Sequence, residues 1–296
     1  MPAAPESPPP RALAQAAELA GRSAAVAAIR RLAGGTHART WLLETVNPRQ
    51  EMVLREYPEG DDAAAREERV LAMLDGLGGL APRLLAADAA ATWSGRPSVL
   101  ISRLPGHADI TPADPRRWAA QLGATLARIH RVPLSSLAGL PDVISRPGGS
   151  PGRLAGPAAA IVAAAWPLLA RAPRVLTHFD FWSGNTVWEH AALSGVVDWS
   201  GAAAGPAGFD VGWCRLDLYL LFGEDIADEF LAAYRAAAAT ALPDPALHDL
   251  WAVARSHDDV EGWVPNYRDL GRGDLTAAQL RRRHAAWTRR LVSAGR

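Results

Sequence analysis

The feature that most constrains this chain is a change of pattern near residue 103. Before it, short runs of β-branched and aromatic residues alternate with turn residues; after it, apolar residues recur at helical spacing. Residues 40–46 and 52–55 read as strands parted by the Asn47-Pro48 turn, and 98–102 as a short apolar strand stopped by Pro105-Gly106. Residues 24–32 fit a helix or a strand by spacing, and the strands that follow favour a strand. A helix is expected over 63–77, where Val70, Leu71, Leu74 and Leu77 form one stripe; 13–19 also has helical spacing. Beyond the change, Trp118, Leu122, Leu126 and Ile129 mark a buried helix face that stops near Pro133. Residues 145–156 are rich in Gly and Pro and read as a loop. Short apolar pieces follow at 175–176, 186–188 and 196–197, then helices over 211–222, 226–239, 245–255 and 276–294. No internal repeat is present.

Composition removes several classes of function. An apolar fraction of 49% with 21% charged residues excludes wholesale disorder. Thirty-one basic residues balance 31 acidic ones, which argues against bulk electrostatic binding of nucleic acid or an anionic membrane. The lone Cys214, in an apolar helix, cannot form an internal disulfide, so a reducing compartment is expected. Every basic residue other than histidine is arginine, so no Schiff-base or general-base lysine exists. The Pro-rich start does not read as a signal peptide, so none is expected, and no run approaches the roughly 20 apolar residues of a membrane span. The expectation is a cytoplasmic protein, a monomer or weak homodimer, with a disordered tail over 1–11.

The chemistry concentrates in Thr177-His178-Phe179-Asp180-Phe181-Trp182-Ser183-Gly184-Asn185 and in Asp198, which follows the apolar Val196-Val197. Asn185 lies five residues after Asp180, and Asp198 thirteen after Asn185. Each residue alone reads as an ordinary turn or cap. Together, on short strands and a tight loop, they can converge on one point. Phosphoryl transfer needs such a set: a carboxylate beside the attacking hydroxyl, with an amide oxygen and a second carboxylate for Mg²⁺.

This run, with Val197-Asp198-Trp199, resembles the aminoglycoside phosphotransferase/choline kinase-like family, with its His-Gly-Asp…Asn loop and its Asp-Trp segment. The resemblance implies a bilobal protein-kinase-like α+β fold: a small antiparallel-sheet lobe over 12–101 that binds nucleotide, a hinge at 102–106 and a mostly helical lobe over 107–296. It implies Asp180 as the catalytic base or hydroxyl-orienting residue, and Asn185 and Asp198 as magnesium ligands. His178 would brace the loop, and Asp210 would cap the following helix and bond the loop. Residues 52–55 resemble the strand carrying the phosphate-binding lysine, here Arg55; Glu67 would pair with it. The 99–106 segment resembles the linker that bonds adenine through its backbone, here at Ser102 and Leu104. Gly34, Gly35 and Thr36 sit where a phosphate-covering hairpin is expected, and read equally as an ordinary turn.

Departures from the family pattern are specific. Arg55 replaces lysine, with a different and bulkier geometry. Phe179 replaces the loop glycine, so its backbone is expected to avoid positive φ. Ser183 stands where proline is frequent, and Ser200-Gly201 lacks an acidic residue. The base and both metal ligands are retained. His107, His130 and His190 have no partner at metal-ligand spacing and read as structural or solvated. Arg281-Arg282-Arg283 reads as a solvated face. Asp258, Asp259, Glu261 and Trp263, with Asp217, are candidates for an acceptor pocket; the 258–263 cluster reads equally as a solvated helix end. The function implied is Mg²⁺-ATP-dependent phosphorylation of a small-molecule hydroxyl, on an amine-bearing natural product of aminoglycoside type. The alternatives are choline, homoserine, a sugar or another neutral alcohol as acceptor, or a nucleotide-binding pseudokinase.

Overall fold

A computed structural model describes residues 7–32, 37–93, 95–144 and 153–294. By internal contacts the chain forms two compact units: Met1–Pro105 with Ser194–Ser200, and Gly106–Leu193 with Gly201–Arg296.

In the first unit, α1 (Pro10–Ala20) starts inside the segment expected to be a tail: Pro10 at its first position supplies a preset φ, and Ala12, Ala16 and Ala20 are its buried face. The strands are β1 (Ala25–Arg31), β2 (Arg39–Val46) and β3 (Gln50–Glu56) before α2 (Ala63–Leu74), then β4 (Leu84–Asp88) and β5 (Ser98–Ser102). They form one antiparallel sheet in the order β1-β2-β3-β5-β4. The register sets Trp41 opposite Leu54 and Leu54 opposite Leu100, three buried residues in one row across the sheet. The helix expected to reach 77 ends at Leu74. Asp75, Gly76, Leu77 and Gly78 all take positive φ, so the two glycines let the chain leave the helix and Leu77 drops out of its stripe.

The second unit holds β6 (His107–Ala108), α3 (Pro115–His130), α4 (Ala159–Arg171), β7 (Arg174–Thr177), β8 (Thr186–Glu189), β9 (Ala192–Val196, whose last three residues belong to the first unit) and β10 (Ala203–Pro206). It continues with α5 (Ala207–Phe222), α6 (Glu224–Ala237), α7 (Pro245–Arg255), α8 (Val264–Asp269) and α9 (Ala277–Ala294). Trp118, Leu122, Leu126 and Ile129 are the buried face of α3, as their spacing implies. Asp114 caps that helix, accepting from the Arg117 amide at 3.1 Å. Five elements lacked a usable signal: β4, β6, α8, β10, whose Ala-Ala-Gly-Pro has no β-branched residue, and α4, which continues through Pro167.

Helix α5 positions the candidate site, and two glycines set its depth. A Cβ at Gly208 would lie 2.1 Å from the His248 ring, and one at Gly212 would lie 2.5 Å from the His248 carbonyl oxygen on α7. Only glycine at these two positions, one turn apart, lets the helices meet so closely. Among the described residues no helix is long and apolar enough to cross a membrane.

Candidate active site

The loop 178–185 leaves β7, which pairs antiparallel with β10; Thr177 Oγ1 donates to the Ala203 carbonyl at 2.8 Å and fixes the strand end. Three residues of α5 then hold the loop. Asp210, Trp213 and Asp217 are spaced three and four apart, so they share one helix face. The buried Asp210 accepts the backbone amides of His178 and Phe179, both at 2.7 Å, and meets His130 Nε2 at 3.1 Å. His130, read as structural or solvated, is structural: its Nδ1 lies 2.8 Å from the Tyr234 hydroxyl. Asp217 accepts from the Ser183 amide at 3.0 Å and the Tyr267 hydroxyl at 2.8 Å, and burial pushes its carboxyl above the usual range. Between these anchors, Trp213 Nε1 donates to Asp180 Oδ1 at 3.2 Å.

Asp210 therefore bonds the loop as expected, but it is not the helix cap. It lies in the first turn of α5, and Pro206 holds the cap position. His178 is fully buried, edge-on to Phe181 at 6.1 Å. Phe179 overturns the expectation for its backbone, since its φ is +65°. That conformation costs a non-glycine residue about 1–2 kcal/mol. The Asp210 bond to its amide and the packing of its ring, 6.1 Å from both Phe209 and Trp251 with the Arg255 guanidinium at 5.6 Å, hold it there.

Asn185 Nδ2 donates to the Asp180 carbonyl at 2.9 Å and to Asp180 Oδ2 at 3.0 Å. With its nitrogen turned to Asp180, Asn185 has its amide oxygen for another partner. The half-buried Asp180 lines a cavity of about 90 Å³ with Trp182, Trp213, Asp217, Trp263, Asn266 and Tyr267. Asn266 Oδ1 is buried there with no hydrogen-bond partner among the described residues. Trp213 and Trp263 also line a second cavity, of about 230 Å³, with Arg153, Arg255, Ser256, Asp258 and Asp259. Of the acceptor candidates, Asp217 and Trp263 thus face the first cavity, and Asp258, Asp259 and Trp263 the second. Glu261 lines neither: both its carboxylate oxygens receive Arg281, which holds its pKa below the usual value. Arg281 is correspondingly an ion-pair partner rather than part of a merely solvated face.

The first unit gathers the other candidates. Arg55 ends its reach between two carboxylates: Nη1 pairs with Glu67 Oε1, and Nη2 lies 2.9 Å from Asp198 Oδ1. The Tyr57 hydroxyl donates to the second Glu67 oxygen, and the Arg55 guanidinium lies 5.3 Å from the Tyr57 ring. Burial opposes the charge on Arg55, but Asp198 and Glu67 more than compensate and raise its pKa; burial pushes Glu67 up against the pull of Arg55. Asp198 has a φ of +64° and accepts from the Ser200 hydroxyl at 3.0 Å. Ser102 donates its amide to the Arg83 carbonyl and accepts the Arg83 amide on its hydroxyl, both at 2.9 Å. Leu104 is half-buried. Gly34, Gly35 and Thr36 lie outside the described residues.

Among the described residues no three His, Cys, Asp or Glu side chains cluster as a metal site. Asn185, in the second unit, and Asp198, in the first, each carry a hard oxygen donor.

Sequence reasoning passed over Trp213, Asn266 and Tyr267. For Trp213 a signal existed, its place between Asp210 and Asp217 on one helix face; for the other two none did.

A five-stranded antiparallel sheet with a single helix after its third strand, followed by a helical unit that carries an Asp…Asn loop, defines the protein-kinase-like α+β class. Solved structures of that class match along most of the chain. Macrolide 2'-phosphotransferase MphH from Brachybacterium faecium is 20% identical, with 94% of this chain and 97% of that chain covered and a TM-score of 0.59. Aminoglycoside-3'-phosphotransferase of type VIII is 15% identical, covering 81% and 97%, with a TM-score of 0.57. A thermostable mutant of aminoglycoside phosphotransferase APH(4)-Ia, in ternary complex with AMP-PNP and hygromycin B, is 18% identical, covering 90% and 94%, with a TM-score of 0.59. No curated protein matches the sequence. The family model of the phosphotransferase enzyme family (APH) matches residues 28–251, and the chain belongs to that family.

Proposed function

We propose that this protein transfers the γ-phosphoryl group of ATP to a hydroxyl of a small amine-bearing molecule, with Asp180 as the base. The observation that carries the reading is the state of Asp180: one oxygen is held by Asn185, the other by Trp213, and the carboxylate opens on a cavity. The acceptor oxygen forms a bond to the γ-phosphorus, the bond from that phosphorus to the β,γ-bridging oxygen breaks, and its electron pair leaves with ADP. The hydroxyl proton passes to Asp180 and then to solvent. Magnesium, when bound, neutralises phosphate charge; Asn185 and Asp198 are the residues that would hold it, and Arg55 the one that would meet the phosphates. Ser102, Leu104 and the Gly34-Gly35-Thr36 segment would serve the rest of the nucleotide. Little covalent chemistry falls to the protein, so its contribution is position and charge.

The amine preference rests on the cavity wall. Aromatic faces of Trp182, Trp213 and Trp263 stand beside acceptor-only oxygens of Asp180 and Asn266, a combination suited to a ligand that brings donors or positive charge. The structural neighbours named for macrolides and aminoglycosides agree with a natural-product acceptor. The second cavity tempers the idea of a purely acidic pocket, because Arg153 and Arg255 face Asp258 and Asp259 there. An ATP-using enzyme with one buried cysteine fits the cytoplasm.

The pseudokinase reading has one observation in its favour. Arg55 pairs with Asp198 at 2.9 Å, and that carboxylate must offer oxygen to magnesium if the enzyme turns over. Mass-spectrometric detection of product gaining one phosphoryl group, over a panel of hydroxylated amines and neutral alcohols with ATP and Mg²⁺, decides between the readings. Transfer to amine-bearing acceptors is expected; ATP binding with no product from any acceptor favours the silent protein.

A further inference from the structure

We infer that Trp213 is a positioning residue for the phosphoryl-transfer step: its indole N–H fixes the orientation of the Asp180 carboxylate. The inference rests on the reading of Asp180 as the base and goes beyond it.

A carboxylate on a loop can rotate about its last torsion, and a base must hold one lone pair on the incoming hydroxyl. Asn185 grips Oδ2 at 3.0 Å and the Asp180 carbonyl at 2.9 Å, which ties the residue to its own loop. Trp213 grips Oδ1 at 3.2 Å from a different element, the helix α5. Two bonds on opposite oxygens fix the plane of the carboxylate, whereas either alone leaves it free to turn.

Trp213 is itself fixed. It lies on the same helix face as Asp210 and Asp217, which anchor the two ends of the loop, and it meets Trp263 at 5.2 Å and Trp251 at 6.3 Å between ring centroids. An indole N–H only donates, so Trp213 cannot accept the acceptor's proton; its action on the reaction passes through Asp180. Tryptophan also does what a smaller donor on α5 could not, because the same ring that reaches Asp180 walls both cavities.

The test is made on the full-length enzyme with Mg²⁺-ATP, using hydrolysis with water as the phosphoryl acceptor so that no acceptor need be known. Trp213→Phe removes the donor and part of the ring. Benzothienylalanine at position 213 removes the donor and keeps the ring shape, which covers the case in which the phenylalanine variant does not fold. Both are expected to lower kcat by roughly 10- to 100-fold, the scale of a misoriented catalytic group, with KM for ATP within about twofold of wild type. A change confined to packing would not separate kcat from KM in the isosteric variant. Wild-type kcat with benzothienylalanine overturns the inference while leaving Asp180 as the base, provided that Asp180→Asn loses hydrolysis in parallel. If Asp180→Asn hydrolyses ATP as fast as wild type, the reading of the base fails and this inference with it.

Discussion

Replacing Arg55 by methionine removes a charge from the first unit while keeping much of the side-chain stem. The partners left behind differ in exposure: the Glu67 side chain is 1% accessible and that of Asp198 20%. Asp198 can recover water; Glu67 cannot. Breaking a buried ion pair by deleting one partner costs about 3–5 kcal/mol. A second limit comes from protonation. A carboxyl whose ordinary pKa is 4.5 can be neutralised at pH 7 for about 3.4 kcal/mol, at 1.36 kcal/mol per pH unit. The Glu67 acid would still be bonded to the Tyr57 hydroxyl, so the loss at pH 7 should be about 3 kcal/mol. The sign follows from the raised folded pKa of the orphaned Glu67: the folded variant then binds more protons than the unfolded chain above pH 4.5, so its stability falls as pH rises through that window. Hydrogen exchange of the amides in β3 and α2, measured at pH 5 and pH 7, reads the loss locally and does not require both units to unfold together. Arg55→Met with Glu67→Gln should regain most of it, and Arg55→Lys should keep most of both stability and ATP affinity. A loss below about 1 kcal/mol at pH 7, or one that does not shrink at low pH, refutes the argument that Arg55 serves to hold a buried carboxylate.

Three other outcomes follow from single features. Burial, Arg281 and His257 lower the pKa of the buried His284 from 6.5 to about 4, so stability present above pH 6.5 is lost as pH falls towards 4, by about 3 kcal/mol; His284→Gln should flatten that part of the pH–stability curve measured by urea unfolding. Gly212→Ala drives a methyl to within 2.5 Å of the His248 carbonyl oxygen and should destabilise α5 against α7 by roughly 1–3 kcal/mol, visible as a lower Tm. Asp198→Ala should abolish the tightening of ATP by Mg²⁺ in calorimetry; an equal magnesium enhancement in wild type and variant rejects Asp198 as a metal ligand.

What the sequence made legible has a common cause, which is short range. The Asp180–Asn185 contact lies within one loop, and the five-residue interval was sufficient to read it. The Arg55–Glu67 pair is longer in range and was read through family resemblance rather than spacing. Glu261 stays open between two readings in the sequence for the opposite reason: its partner Arg281 is twenty residues away, on another helix, and nothing in the 258–263 cluster announces it. Phe179 shows a different limit. Local preference forbids its left-handed backbone, and tertiary bonds from Asp210 impose it. Helix α4 and strand β10 were obscure because proline and small residues carry little signal, although packing and pairing hold both. Trp213 stands between Asp210 and Asp217 on one face of α5, but that helix is buried on nearly every side, so the two carboxylates do not mark the face as one that meets the loop.

The central claim is that Asp180 takes the proton from the acceptor hydroxyl, with the rest of the loop built to hold it. Asp180→Asn tests this most directly, in single-turnover phosphoryl transfer from ATP with the ATP dissociation constant measured on the same preparation. The predicted result is a rate lower by roughly 10²- to 10⁴-fold with nucleotide affinity and Tm close to wild type. Transfer at the wild-type rate, from a variant that still binds ATP, contradicts the account.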